Sequence, residues 1–248
     1  MPMITTKNFQ LAVRTFGNQA AEQLALILPG RLDTKDYSHM LAHAEYLAQR
    51  NYLSVTFDPP GTWESTGDIS LYTMTNYLQA INELIEHYGN RPTLLMGHSR
   101  GGSMAVLAGM RHQCVTKFIS VMGACSYAPD KYETDSDGEW QRLGYKINRR
   151  ELPGKDSEFV DYQLPYSFAD DAKQYDLYDE LRVCQKPKLF IYGTRDQLVP
   201  PPLAEEIFAV ASEPKELVMI DSDHDYRRSQ KMINEVNDLV GQFLERYP

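Results

Sequence analysis

Cysteine is scarce: three residues in 248, at positions 114, 125 and 184. An odd number, widely spaced, provides no disulfide framework and no cysteine spacing of a metal site. Each lies in or beside an apolar run and reads as a small buried hydrophobe. No apolar run approaches the roughly 20 residues that span a bilayer, so no membrane segment is expected. The first residues, Met1-Pro2-Met3-Ile4-Thr5-Thr6-Lys7, lack a basic stretch followed by an apolar one; no signal peptide is expected, and a reducing cytoplasm is the default compartment. Positive charge is in deficit. Lys and Arg number 25 against 34 Asp and Glu, a net charge of −9, which argues against a phosphate-binding surface for DNA or RNA. There is no internal repeat and no low-complexity tract.

What remains is a globular composition, 42% hydrophobic and 24% charged, enough for a sizeable core in one domain spanning residues 1–248. Short continuous apolar runs, such as Leu24–Leu28, Leu53–Phe57, Phe118–Met122, Lys188–Tyr192 and Leu217–Ile220, read as strands buried on both faces. Phe9–Phe16 alternates apolar and polar residues and reads as a half-exposed strand. Between the runs come helical periodicities: Tyr37–Arg50, Met74–Tyr88 with a clear apolar stripe, Pro201–Val210 with proline in its first turn, and a last helix carrying Met232, Ile233, Val236, Leu239, Val240 and Phe243. Strand and helix alternate almost throughout, which predicts an α/β fold: a mostly parallel sheet with helices on both faces. The rhythm fails at 126–168, where charge, Tyr, Gly and Pro accumulate around Asp130–Glu133 and Asp135–Glu139. The stretch reads as a small lid inserted into the domain, with a surface excursion without a role as the alternative.

The chain is organised around Leu94-Leu95-Met96-Gly97-His98-Ser99-Arg100-Gly101-Gly102. An apolar strand runs into a sharp turn with serine at its tip, and a helix follows. Gly97 and Gly101 omit side chains that would collide where backbone passes backbone, and Ser99 is presented at a helix N-terminus. A serine hydroxyl needs a base, and the base needs a group to hold its tautomer. Of six histidines, His39 and His43 lie on the first helix, and His87 and His112 lie near helix ends. His98 points away from the hydroxyl of its neighbour. All five read as surface or packing histidines. His224 follows the strand Leu217–Ile220 and is the expected base. Asp196 follows the strand Lys188–Tyr192 and is the expected acid. Asp221, Asp223 and Asp225 are closer to His224 in sequence but read as solvated loop or capping carboxylates, and Asp130 is a weaker rival.

The order Ser99, Asp196, His224 resembles that of the α/β-hydrolase superfamily. Three stretches carry the resemblance: Gly97-His98-Ser99-Arg100-Gly101-Gly102, the acid loop Gly193-Thr194-Arg195-Asp196 with Leu198-Val199-Pro200, and Asp223-His224. The resemblance implies an oxyanion-hole loop at Leu28-Pro29-Gly30-Arg31-Leu32, with proline where histidine is usual. The backbone N–H groups of Arg31 and Arg100 would be its donors. Asp58-Pro59-Pro60-Gly61-Thr62-Trp63-Glu64-Ser65 resembles the family's Asp-x-x-Gly-x-Gly-x-Ser turn, with Trp63 replacing the second glycine.

The implied reaction is acyl transfer to water from a small-molecule carboxylic ester, with no metal and no cofactor. A thioesterase or an acyl-peptide hydrolase would use the same triad, and a non-catalytic ligand-binding member of the fold is a third reading. The small carboxylesterases, including monoacylglycerol-lipase-like and feruloyl-esterase-like members, are the subgroup it most resembles. Trp63 and Trp140 are candidate walls of a substrate pocket. The tyrosines and Trp140 fit an aromatic or apolar acyl pocket and equally fit an insertion held down by its aromatics. Arg31, Arg100, Arg149 and Arg150 are candidates to attract a substrate carboxylate.

Overall fold

A computed structural model describes residues 2–126 and 138–248, the side chain of Asp156 excepted. Ten strands are described: β1 Met3–Thr5, β2 Gln10–Phe16, β3 Gln23–Leu28, β4 Tyr52–Phe57, β5 Thr93–His98, β6 Val115–Val121, β7 Tyr145–Leu152, β8 Lys155–Pro165, β9 Lys188–Gly193 and β10 Lys215–Ile220. The longer helices are α1 Ser38–Ala48, α2 Met74–His87, α3 Arg100–Arg111, α7 Pro201–Val210 and α8 Gln230–Arg246. Three short ones, α4 Glu139–Leu143, α5 Ser167–Ala172 and α6 Tyr178–Leu181, lie between β6 and β9.

Eight strands form one sheet in the order β1-β2-β4-β3-β5-β6-β9-β10. From β4 to β10 every pairing is parallel, and β1 and β2 add an antiparallel edge. The central strands are apolar on both faces because both are covered. Every residue of β4 and β5 is buried, and so is every residue of β3 from Leu24 onward. Helix α1 packs beside α8 and against β3 and β4, while α2 packs on α3. Local chemistry sets the helix starts. The Thr73 hydroxyl accepts the Asn76 N–H at 3.0 Å to cap α2, and Pro201 and Pro202 open α7. No helix among the described residues is long and apolar enough to cross a membrane.

After β3 the chain moves outward to β4; after β5 it moves the other way to β6. The switch point therefore lies between the carboxyl ends of β3 and β5, the place where open α/β sheets bind ligands.

Asp130 and the acidic residues of 130–133 and 135–137 lie outside the described residues. What is described of the 126–168 stretch differs from a structureless segment: β7 and β8 pair antiparallel, from Tyr145 opposite Pro165 to Leu152 opposite Lys155. The tip is Pro153-Gly154, with Gly154 at φ 70°. The excursion also runs on past 168, through α5 and α6, before β9 begins.

Candidate active site

Ser99 closes β5 and opens α3 with φ 52° and ψ −119°, a left-handed conformation for a residue with a side chain. Such strain costs on the order of 1–3 kcal/mol and persists only where the surroundings dictate it. Here its N–H donates to the Val121 carbonyl at 2.8 Å and its carbonyl accepts the Ser103 N–H at 3.0 Å. The crossing is too tight for side chains. A Cβ on Gly97 would sit 2.2 Å from the backbone of Gly101, and one on Gly101 would sit 1.9 Å from the Leu28 carbonyl oxygen.

Three side chains from three strand ends meet in a row. The His224 Nε2 lies 2.9 Å from Ser99 Oγ, and its Nδ1 lies 2.8 Å from Asp196 Oδ2. A carboxylate is acceptor only, so Nδ1 carries the hydrogen and Nε2 presents a lone pair to the hydroxyl. Asp196 is 3% exposed. Its second oxygen accepts the N–H groups of Leu198 and Val199 at 2.8 and 2.9 Å, which fixes the plane of the carboxylate. The loops of Asp196 and His224 are knitted together: the Arg195 N–H donates to the Ser222 carbonyl at 3.0 Å, and the Thr194 N–H to the Ile220 carbonyl at 2.9 Å. The nearer acids are occupied elsewhere. Asp221 pairs with Arg195, Asp223 accepts the Asp225 N–H, and Asp225 pairs with Arg227 and Arg228.

Arg31 lies in the turn Gly30–Asp33, closed by the Asp33 N–H on the Gly30 carbonyl at 3.1 Å. This turn follows β3, beside the elbow, since Leu28 pairs with Gly97. Arg100 is the first residue of α3, and its guanidinium donates to Met74 Sδ at 3.0 Å and lies 5.3 Å from the Phe168 ring. Trp63, at φ 47°, is placed over the turn: its indole N–H donates to the Leu32 carbonyl at 2.9 Å, and its ring meets Tyr37 and Tyr162 edge-on. Trp140 is 4% exposed and packs within the insertion, stacked on Phe168, with its N–H on the Leu164 carbonyl. Arg149 and Arg150 each face an acid of this chain. Arg149 pairs with Asp161 at 2.7 Å and Arg150 with Asp33 at 3.1 Å.

Beside the row of Ser99, His224 and Asp196 lies a cluster that the sequence alone does not reveal. His39, His43, His98 and Tyr226 pack ring to ring, Asp33 lies beside His98, and all five are nearly solvent-free. Burial pushes the pKa of all three histidines down: His43 to about 4, His39 well below its ordinary value, and His98 also below it, though Asp33 opposes the shift there. Burial works to raise Asp33, but the Arg150 guanidinium, assisted by that of Arg227, overrides it and holds the carboxyl below the usual range. His43 Nδ1 donates to Asn237 Oδ1 at 2.6 Å, and Nε2 accepts the Tyr226 hydroxyl at 2.7 Å.

Donor atoms of Asp33, His39 and His98 come within 4.8 Å of one another. A tetrahedral zinc shell with bonds near 2.0–2.1 Å needs donors about 3.3 Å apart. Asp33 faces Arg150 at 3.1 Å, while both ring nitrogens of His39 and Nδ1 of His98 have no hydrogen-bond partner among the described residues.

Comparison with known proteins agrees with this architecture. The palmitoyl-protein thioesterase ABHD10 of mouse, a mitochondrial protein, is 21% identical over 230 residues, covering 87% of this chain and 74% of that protein. Its solved structure superposes with a TM-score of 0.79 at 18% identity, covering 100% of this chain and 99% of that one. Est1E from Butyrivibrio proteoclasticus, solved with ferulic acid bound, gives a TM-score of 0.75 at 19% identity over 99% of this chain and 98% of that one. At such identities these structures share the fold. Family membership rests on a broader match: the model of the alpha/beta hydrolase family fits residues 25–235, most of the chain and all of the elements that carry Ser99, Asp196 and His224, and the protein belongs to that family.

Proposed function

We propose that the protein is a serine hydrolase that cleaves a carboxylic ester of a small or medium acyl group through an acyl-enzyme on Ser99. The observation that carries this reading is the unbroken row from Ser99 Oγ through both nitrogens of His224 to Asp196. Ser99 Oγ attacks the ester carbonyl while His224 Nε2 takes its proton. Asp196 steadies the imidazolium that forms, and His224 returns the proton to the departing alkoxide. Water then repeats the sequence on the acyl-enzyme. The N–H groups of Arg31 and Arg100 stabilise the tetrahedral oxyanion. Loss of one such donor lowers kcat by about 10²–10³ in enzymes of this chemistry.

A second reading, thioester hydrolysis, is supported by the curated relatives, which are named palmitoyl-protein thioesterases. The same residues would serve. A thiolate leaving group, with a conjugate acid near pKa ~8.5, needs less protonation by His224 than an alkoxide does.

The test is turnover of p-nitrophenyl esters of graded acyl length, and of matched acyl thioesters, by the wild type and Ser99→Ala. Ester turnover that Ser99→Ala abolishes, with fluorophosphonate labelling of Ser99, is the expected result. A higher kcat/KM on thioesters moves the assignment to the second reading. No turnover on either series and no labelling overturns both, leaving a ligand-binding member of the fold.

A further inference from the structure

The turn that carries Arg31 is held on every side. The Pro29 carbonyl accepts the Tyr77 hydroxyl at 3.1 Å, and the Leu32 N–H donates to the Tyr72 hydroxyl at 3.1 Å. The Leu32 carbonyl accepts the Trp63 indole N–H, and the Arg31 carbonyl accepts the Arg150 guanidinium. Leu32 sits at φ 56°, a left-handed position that glycine tolerates and leucine does not. A turn whose third residue is left-handed relaxes by flipping its central peptide, the difference between the two commonest turn types. Here that peptide is the one between Arg31 and Leu32. Its carbonyl edge is gripped by Arg150 and its N–H edge by Tyr72. The same guanidinium forms the ion pair with Asp33, the last residue of the turn, which is 3% exposed on its side chain.

Arg150 does not belong to the α/β core. It lies on β7, on the less exposed side of a strand whose exposure alternates. The hairpin is seated by further contacts near this turn. The Tyr162 hydroxyl on β8 accepts the Trp63 N–H at 3.0 Å, and the Tyr37 hydroxyl donates to the Glu151 carbonyl at 2.9 Å. The Glu151 carboxylate pairs at 2.6 Å with Arg227, which stands three residues after the base. One hairpin thus reaches both the oxyanion turn and the loop of His224.

We propose that Arg150 is a positioning residue and that the β7–β8 hairpin is part of the reaction apparatus: seating the hairpin pins the Gly30–Asp33 turn at the Arg31 carbonyl and the Asp33 carboxylate, and so holds the Arg31 backbone, with its N–H, in place beside the elbow. This rests on the reading of Ser99 as nucleophile and of Arg31 as an oxyanion donor. Arg150 touches neither substrate nor reacting atoms. A misplacement on the scale of 1 Å at a reacting centre lowers rate by about 10²-fold, and that is the size of effect expected when the turn loses its grip on the hairpin.

The experiment compares wild type, Arg150→Gln, Arg150→Lys and Tyr72→Phe on a p-nitrophenyl ester. Each is also titrated with a trifluoromethyl ketone, whose adduct with Ser99 carries the oxyanion. Arg150→Gln is expected to lower kcat by about 30–100-fold with KM within threefold. The ketone inhibition constant should rise by the same factor as kcat falls. Arg150→Lys, which keeps the charge but not the fork, is expected to recover part of the loss. Tyr72→Phe keeps its ring on Phe168, releases the Leu32 N–H, and is expected to show the same pattern at about a tenth of the size. Should Arg150→Gln fail to fold, Tyr72→Phe decides. Wild-type kcat in the folded variants, or a loss confined to KM or tracking melting temperature without weaker ketone binding, overturns the inference while an active wild type and inactive Ser99→Ala leave the reading of the site intact. An inactive, unlabelled wild type overturns that reading, and the inference with it.

Discussion

His98 Nε2 donates to the backbone carbonyl of His224 at 2.9 Å. His98, immediately before Ser99, therefore holds the loop of His224, the base in the proposed reaction. A carbonyl accepts only, so Nε2 carries the hydrogen. Nδ1 is then turned toward Asp33 at 3.8 Å, with no hydrogen-bond partner of its own among the described residues. Replacing His98 by leucine keeps the volume and removes the donor. A buried carbonyl left without its partner costs about 1–3 kcal/mol, part of which appears as a loosened His224 loop. His98→Leu is expected to lower melting temperature and to reduce ester kcat by about tenfold, with KM nearly unchanged. Steady-state kinetics beside a melting curve checks both. Full kcat in a destabilised variant would show that the bond serves stability alone.

The triad row makes a sharper demand. Ser99→Ala is expected to reduce kcat by about 10⁴-fold or more. Asp196→Asn should reduce it by about 10³–10⁴-fold, because an amide facing Nδ1 stabilises the wrong tautomer. Fluorophosphonate labelling separates the two. It is abolished in Ser99→Ala and slowed in Asp196→Asn, where the nucleophile persists but its base is misoriented. Labelling of Asp196→Asn at the wild-type rate would show that His224 takes its orientation from elsewhere.

The elbow glycines respond to space rather than to chemistry. Alanine at 101 would place its Cβ 1.9 Å from the Leu28 carbonyl oxygen, which is backbone and cannot step aside. Gly101→Ala is expected to destabilise the fold by about 3 kcal/mol or more. Gly154, at the hairpin tip, has nothing within 4 Å of an added Cβ but a φ of 70°. Gly154→Ala should cost only the left-handed penalty, about 1 kcal/mol. Urea unfolding of both variants beside wild type gives the comparison. Equal costs at the two sites would contradict the close crossing.

These contrasts show which parts of the molecule its sequence reveals. The strands of the large sheet are legible because burial on both faces leaves runs such as Leu24–Leu28 no room for polar residues. The residues of the row are legible because each follows such a strand. The β7–β8 hairpin is hidden for the opposite reason. Its outward side carries Tyr145 and Ile147, 38% and 55% exposed, while the side turned inward carries Lys146, Asn148 and Arg150. The usual alternation is inverted, with Arg150 on that side meeting the Arg31 carbonyl and Asp33, so apolar periodicity gives no signal. Its one local mark is Pro153-Gly154. His98, Tyr72 and Asp33 act through contacts between loops far apart in sequence, which no spacing rule encodes. His39 and His43 at i and i+4 do share a helix face, and that spacing was the available sign that both turn inward.

The buried histidines set a pH dependence whose sign follows from their environment. Burial holds His43 at about 4, against an ordinary value of 6.5, and holds His39 and His98 below it as well. A folded-state pKa below the unfolded one means that the unfolded chain binds more protons in between. Stability is then complete above pH 6.5 and is lost as pH falls from 6.5 toward 4, by up to about 1.4 kcal/mol per pH unit for each histidine. Asp33 does not offset this, because its depressed pKa keeps it charged throughout that window. For His43 alone the loss reaches about 3 kcal/mol by pH 4. Glutamine at 43 can still bond Tyr226 or Asn237 but cannot titrate. His43→Gln is expected to be less stable than wild type at pH 7.5, and the gap should narrow by about 2–3 kcal/mol by pH 4.5. Urea unfolding at unit steps of pH measures it. A gap that stays constant from pH 7.5 to 4.5 would mean that His43 titrates alike in the folded and unfolded chains, contrary to its sealed position between Asn237 and Tyr226.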